Sequence, residues 1–146
     1  MPTEMLRDDE VEGVLRRSPL VRVAFVSERP WVVAFGFTYV DGDLVGMAGP
    51  GHKVALAEAD ARVGFQVDTS LEDGIYAWES VHGHGSISFG PPEDEVLEAS
   101  RRRHGVPPGW FIADRMAEME TGELLTYRIK PETMSGIRCG PDATPR

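Results

Sequence analysis

The chain has 146 residues, 41 % of them hydrophobic and 27 % charged, with a formal net charge of −9. That length suits one domain with a real core, and no apolar run approaches the roughly 20 residues of a membrane span. The acidic balance argues against general binding to nucleic-acid backbones or anionic membranes, both of which reward clustered Lys and Arg.

The opening residues, MPTEMLRDDEVEG, do not have the basic and apolar character of a signal peptide, so a cytoplasmic location is the expectation. From Asp8 to Arg17, Val11, Val14 and Leu15 share one face, with acids at the start and Arg16-Arg17 at the end, which predicts a short amphipathic helix. Ser18-Pro19 halts it, because the residue before proline is pushed out of the helical region. Leu20 to Val26 follows as a strand with Val21, Val23 and Phe25 on one face.

After a turn at Ser27–Pro30, Trp31 to Tyr39 alternates Trp31, Val33, Phe35 and Phe37 against Val32, Ala34, Gly36 and Thr38. Both faces are uncharged, which predicts a central strand. Asp41-Gly42 is a hairpin signal and pairs this strand with Leu44 to Ala48. Next comes a corner, Gly49-Pro50-Gly51, before a helix from Lys53 to Ala59. Flanking glycines let backbone N–H groups approach an anion, and a helix N-terminus adds partial positive charge, so a phosphate fits there. The same triplet is also ordinary strand-to-helix punctuation.

Arg62 to Asp68 alternates as a strand with Val63, Phe65 and Val67 on one face, and Thr69 to Gly74 is polar and turn-rich. Ile75 to Phe89 predicts a long strand, ended by Gly90-Pro91-Pro92. Glu93 to His104 reads as a helix with Val96, Leu97 and Ser100 inward and Gly105 as its end; Trp110 to Met119 is a weaker helix with Ile112, Met116 and Met119 at suitable spacing. A last strand runs from Leu124 to Lys130, and the tail from about 138 to 146 is expected to fray. The only cysteine, Cys139, lies in that Gly- and Pro-rich tail, which forbids an intrachain disulfide and offers a catalytic thiol no scaffold.

His82 and His84 stand two apart on the long strand and point to one side, a spacing that can chelate a metal. No nearby cysteine or second histidine cluster completes a site, so no metal is assigned, and the pair is expected to line a cleft or a dimer face. Several antiparallel strands joined by short turns predict a mainly β chain, a barrel with peripheral helices in a single domain over 1–146.

The strand WVVAFGFTYVDGDLVGMAG, the GHK after it, the segment ALAEADARVGFQVD and the later WESVHGHGSISF, in that order, resemble the flavin-binding split-barrel superfamily of pyridoxamine-phosphate oxidase and the nitroimidazole-resistance-like proteins. The terminal YRIKPETMSGI adds weaker support. The resemblance implies a split β-barrel of the FMN-binding type, a homodimer with flavin clefts between the barrels, and a small-molecule substrate. It implies that Val33, Ala34, Phe35 and Gly36 run along the isoalloxazine ring with backbone contacts, and that Met47 and Ala48 continue that wall. His52 and Lys53 meet the phosphate, while Trp78, Ser80 and Val81 approach from the later strand.

The chain departs from the pattern of these families in four places. Pyridoxamine-phosphate oxidases carry phosphate-gripping arginines where Trp31 and His52 stand here, and their Trp- and Arg-rich C-terminal signature has no match in PETMSGIRCGPDATPR. The nitroimidazole-resistance branch commonly has histidine where this chain has Met47. The expected function is therefore an FMN-dependent oxidoreductase that does not act on vitamin B6 compounds. A deazaflavin coenzyme, haem, or a binding module without turnover are the alternatives. No side chain is assigned as general acid or base; His82 and His84 are candidates because histidine titrates near neutrality.

Overall fold

In the computed structural model, which describes residues 2–143, the elements run β1 (Thr3–Met5), α1 (Asp8–Arg17), β2 (Leu20–Phe25), β3 (Trp31–Gly36), β4 (Thr38–Val40), β5 (Asp43–Ala48) and α2 (His52–Ala59). They continue as β6 (Arg62–Asp68), α3 (Ser70–Asp73), β7 (Trp78–Gly90), α4 (Asp94–His104), α5 (Gly109–Thr121) and β8 (Leu125–Cys139). The helix α1 forms where its charges complement the helix dipole, with Asp8, Asp9 and Glu10 first and Arg16 and Arg17 last. Val11, Val14 and Leu15 bury its apolar face, and the Glu10 carboxylate accepts the Arg7 backbone N–H at 3.1 Å.

The eight strands make one antiparallel sheet in the order β3-β2-β6-β7-β8-β5-β4, with β1 paired to the far end of β8. Asp41 and Gly42, at φ 50° and 87°, turn the β4–β5 hairpin with Val40 opposite Asp43. Positive φ at both central residues gives the turn the twist its strands require. Val21, Val23, Phe65, Val67, Val81 and Ile129 point into a single core cluster, as the period of two predicts for a sheet packed on one face.

The sheet curls until its two ends meet. A Cβ on Gly46 of β5 would lie 2.6 Å from the Gly36 carbonyl of β3 and 2.8 Å from Tyr127 Cε1 of β8. Only the bare backbone of glycine permits that approach. The result is a mainly β split barrel with helices outside it, as the sequence predicts.

Several boundaries differ from the sequence expectations. The segment from Trp31 to Tyr39 is not a central strand: it breaks after Gly36, with β3 at one end of the sheet and β4 at the other. Val32 on its outer face is 67 % exposed, and Trp31 at the strand's start is 40 % exposed, so lack of charge there reflects an uncovered surface rather than a neighbouring strand. The tail does not fray at 138. Arg138 and Cys139 pair with β7 and with β1, Cys139 is buried, and the Arg138 guanidinium reaches the carboxylates of Glu4, Glu10 and Glu79. Residues 144–146 of that expected tail lie outside the described residues.

Pro131 does not end the last strand either. The ladder steps past it, pairing Gly85 with Pro131 and His84 with Thr133, which leaves Glu132 as an irregularity that absorbs the missing N–H. The polar Thr69–Gly74 stretch contains the single helical turn α3, and the long strand β7 starts at Trp78 rather than Ile75.

Candidate functional site

A cleft of about 540 Å³ opens between the barrel and the α4–α5 pair. Its barrel wall is Pro19, Gly36, Gly46 and Met47; its helical wall runs from Leu97 and Ser100 through Arg101 and His104 to Phe111 and Arg115. Volume and apolar lining are those of a small-molecule site. The position of α4 follows from contacts at its two ends. The Glu93 backbone N–H donates to Thr126 Oγ1 at 3.0 Å, and His104 Nε2 meets the Phe37 carbonyl at 2.8 Å. A carbonyl only accepts, so in this contact the Nε2 nitrogen is the donor.

At Gly36 the Tyr127 hydroxyl donates to the carbonyl at 2.6 Å. Burial pushes the Tyr127 phenol above its ordinary range, so the group stays a donor at any working pH. Phe35 stacks on the same ring, 4.6 Å between centroids, and Phe89 flanks both at 6.4 Å. These rings hold the end of β3 at the cleft. The strand β3 pairs only with β2, so along its other edge the backbone polar groups face away from the sheet and are open to a ligand. Ala34 and Gly36 alternate outward and are exposed, and neither carries a side chain larger than a methyl.

The glycine corner sits at the start of α2. Gly51 precedes the helix at φ 155°, a conformation L side chains rarely adopt. His52 is exposed and its ring meets Trp31 edge-on at 4.8 Å, joining the corner to the first residue of β3. Lys53 is half-buried, and its Nζ donates to the Pro50 carbonyl at 3.4 Å. A Cβ on Gly49 would stand 3.4 Å from Glu118 Oε1, so a carboxylate also borders this corner.

Of the residues expected at the site, Gly36 and Met47 line the cleft together. Phe35 and Ala48 are buried and Val33 is half-buried against the core, so their side chains pack inward and only their backbone is left to a ligand. Trp78 lines a separate hollow with Glu79 and Arg138. Ser80 is buried and accepts a hydrogen bond from Gln66 Nε2 at 3.0 Å, and Val81 is wholly buried in the core. Trp78 pairs with Cys139, whereas Met47 pairs with Thr126 at the other end of β8. Along a strand at about 3.3 Å per residue, that separation is roughly 40 Å, so the structure does not bring Trp78 to Met47 within one chain.

The profile of the pyridoxamine 5'-phosphate oxidase family matches residues 7–138. The chain belongs to this family. Among solved structures it is similar to a FAD-binding protein from Mesorhizobium loti, with 24 % identity over 96 % of this chain and 100 % of that one at a TM-score of 0.68. It is also similar to the FAD-binding protein from Mycobacterium smegmatis, with 17 % identity, 93 % and 97 % coverage and a TM-score of 0.64. The haem storage protein HutZ from Vibrio cholerae shows the same fold at 15 % identity, 87 % and 92 % coverage and a TM-score of 0.66. No curated protein matches the chain.

Family membership does not account for the helical wall. Sequence reasoning placed Leu97 and Ser100 inward on α4 but missed His104 at the end of that helix, and Phe111 and Arg115, for which α5 carries no signal beyond a weak apolar period. No residue of α5 is buried, so the pattern that normally exposes a helix's role is faint. His82 and His84 both face outward from β7, with His82 Nε2 and Ser135 Oγ 3.1 Å apart. Among the described residues no group of three His, Cys, Asp or Glu side chains is placed to hold a metal ion, and no helix is long and apolar enough to cross a membrane.

Proposed function

We propose that this family member is a cytoplasmic, FMN-dependent oxidoreductase acting on a small molecule, and that it works as a homodimer. The observation that carries the reading is the open edge of β3 ending at Gly36, which lines the apolar cleft on the same wall as Met47. A flat conjugated ring fits against the end of that strand, where the outward residues Ala34 and Gly36 carry nothing larger than a methyl and Val32, two residues earlier on the same face, bounds the surface. The flavin, when bound, supplies the redox chemistry; the chain supplies orientation and exclusion of water.

The residues that would hold it are the β3 edge and Met47 for the ring, and Lys53 with the N-terminus of α2 for the phosphate. Lysine serves as a point charge there. The FAD-binding neighbours of the same fold lend support to a flavin, with FMN as the form whose single phosphate fits a corner holding one lysine. Dimerisation is supported by the exposed Trp31 and Val32, and by Trp78, Ser80 and Val81 on β7 pairing with the end of β8 far from Met47. A second copy is what would bring that end of the strand to the cleft.

A second reading, a deazaflavin-dependent reductase or a module that holds haem without turnover on the same fold, is favoured by the Glu118 carboxylate beside Gly49, which opposes the FMN phosphate at the corner. A visible absorption spectrum of the purified protein, followed by titration with FMN, haem and a deazaflavin, separates the readings. Yellow bands and micromolar or tighter FMN binding are expected. A Soret band or FMN binding no better than that of the other ligands would overturn the first reading, and a monomer by light scattering at micromolar concentration would overturn the shared cleft.

A further inference from the structure

The two guanidinium groups in the cleft are already neutralised. Arg101 and Arg115 line it and no Asp or Glu does, but each is paired on its own helix. Arg101 donates to both carboxylate oxygens of Glu98, at 2.7 and 3.1 Å, and Arg115 Nη1 donates to Glu118. The Arg115 guanidinium also lies over the Phe111 ring, 4.9 Å from its centroid. A carboxylate entering the cleft would give up its hydration and meet no unpaired guanidinium in return, a cost that a neutral molecule does not bear.

Ser100 supplies a polar group of another kind. Leu97, Ser100, Arg101 and His104 line the cleft from α4 at the i, i+3, i+4, i+7 spacing that puts them on one helix face. A serine inside a helix can turn its hydroxyl back onto a carbonyl one turn earlier, yet the half-buried Ser100 hydroxyl makes no hydrogen bond with any of the described residues. His104 Nε2, by contrast, is committed to the Phe37 carbonyl. Ser100 is therefore an uncharged, unengaged hydroxyl in a cleft whose lining includes the apolar Met47, Leu97, Val106 and Phe111. We propose that the cleft takes a small, neutral, largely apolar molecule with one ketone or hydroxyl oxygen, that oxygen on Ser100 Oγ and the body between Met47, Leu97 and Phe111. The apolar walls supply the affinity and the one hydrogen bond sets the orientation. This deepens the flavin reading and rests on it only for the molecule's being the substrate; the binding itself does not need the flavin.

The test is calorimetric titration of the purified protein, both as isolated and after addition of excess FMN, against the ketone 2-acetylnaphthalene and the acid 2-naphthoate. The ketone is expected to bind more tightly than the acid in both preparations, by about fivefold or more, because only the acid must strip water from a charge. Ser100→Ala is expected to weaken binding of the ketone roughly threefold to tenfold, the worth of one neutral hydrogen bond, with the far-ultraviolet circular dichroism of the parent. An acid that binds as tightly as the ketone, or a ketone that does not bind, overturns the proposal in the parent protein without any variant. A Ser100→Ala affinity for the ketone equal to the parent's overturns it as well. If FMN fails to bind at all, the flavin reading falls, while the as-isolated titration still decides the fate of the neutral ligand.

Discussion

The Tyr127 hydroxyl reaches 2.6 Å across the barrel to the Gly36 carbonyl, and it does so through the space that Gly46 leaves by having no side chain. One hydrogen bond thereby ties β8, in the middle of the sheet, to the exposed edge strand that borders the cleft. The contact links stability to the site, since the residue at the strand's end lines the cleft on the same wall as Met47.

Tyr127→Phe removes the donor and keeps the ring. We expect a loss of roughly 1–2 kcal/mol, the cost of a hydrogen bond whose acceptor is left behind. Thermal denaturation checks it; an unchanged Tm would mean the hydroxyl contributes nothing to joining the two strands.

Gly46→Ala should cost about 1–3 kcal/mol, because the new methyl meets a backbone oxygen that cannot step aside. Gly90→Ala is the control. Nothing lies within 4 Å of a Cβ at Gly90 and its φ is ordinary, so a change within about 0.5 kcal/mol is expected. Urea midpoints for the two variants that coincide would contradict the close approach at Gly46.

Stability should fall in acid partly through Asp68. Burial alone would raise its pKa, but hydrogen bonds from Ser70 and Gln66, and the Arg22 guanidinium, outweigh burial and hold the carboxyl below its ordinary range. A carboxylate depressed in the folded state stabilises above its unfolded pKa of about 3.9, and that stability is lost as pH falls through the lower folded value. Asp68→Asn should therefore be less stable than the parent at pH 7 and lose less on going to pH 3. Parallel pH–stability curves would exclude the carboxylate as a contributor.

Lys53→Ala should weaken FMN binding by about 1–3 kcal/mol if its ammonium leaves the Pro50 carbonyl for the phosphate. Fluorescence quenching of FMN during titration measures this directly. Affinity equal to the parent's would remove Lys53 and the glycine corner from the phosphate site.

Much of the fold was legible because its signals are local. The alternation of Val21, Val23 and Phe25, or of Val63, Phe65 and Val67, marks a strand whatever surrounds it, and Asp41-Gly42 dictates its own turn. The amphipathic spacing and end charges of α1 likewise made it legible from Asp8 to Arg17 without its neighbours. Gly36 and Met47 were placed at the candidate site by order of motifs, and they do face one cleft.

What the sequence by itself determined, then, was the alternation of elements and the family they belong to, since period and turn chemistry are read within a few residues. Only the tertiary structure decided that Trp31–Gly36 is an edge, that Cys139 is buried in a strand, and that Arg115 stands across a cleft from Met47. Those facts depend on which distant segments pair. Nothing in the residues near Trp31 records the absent neighbour, and nothing near Arg115 records the cleft it lines.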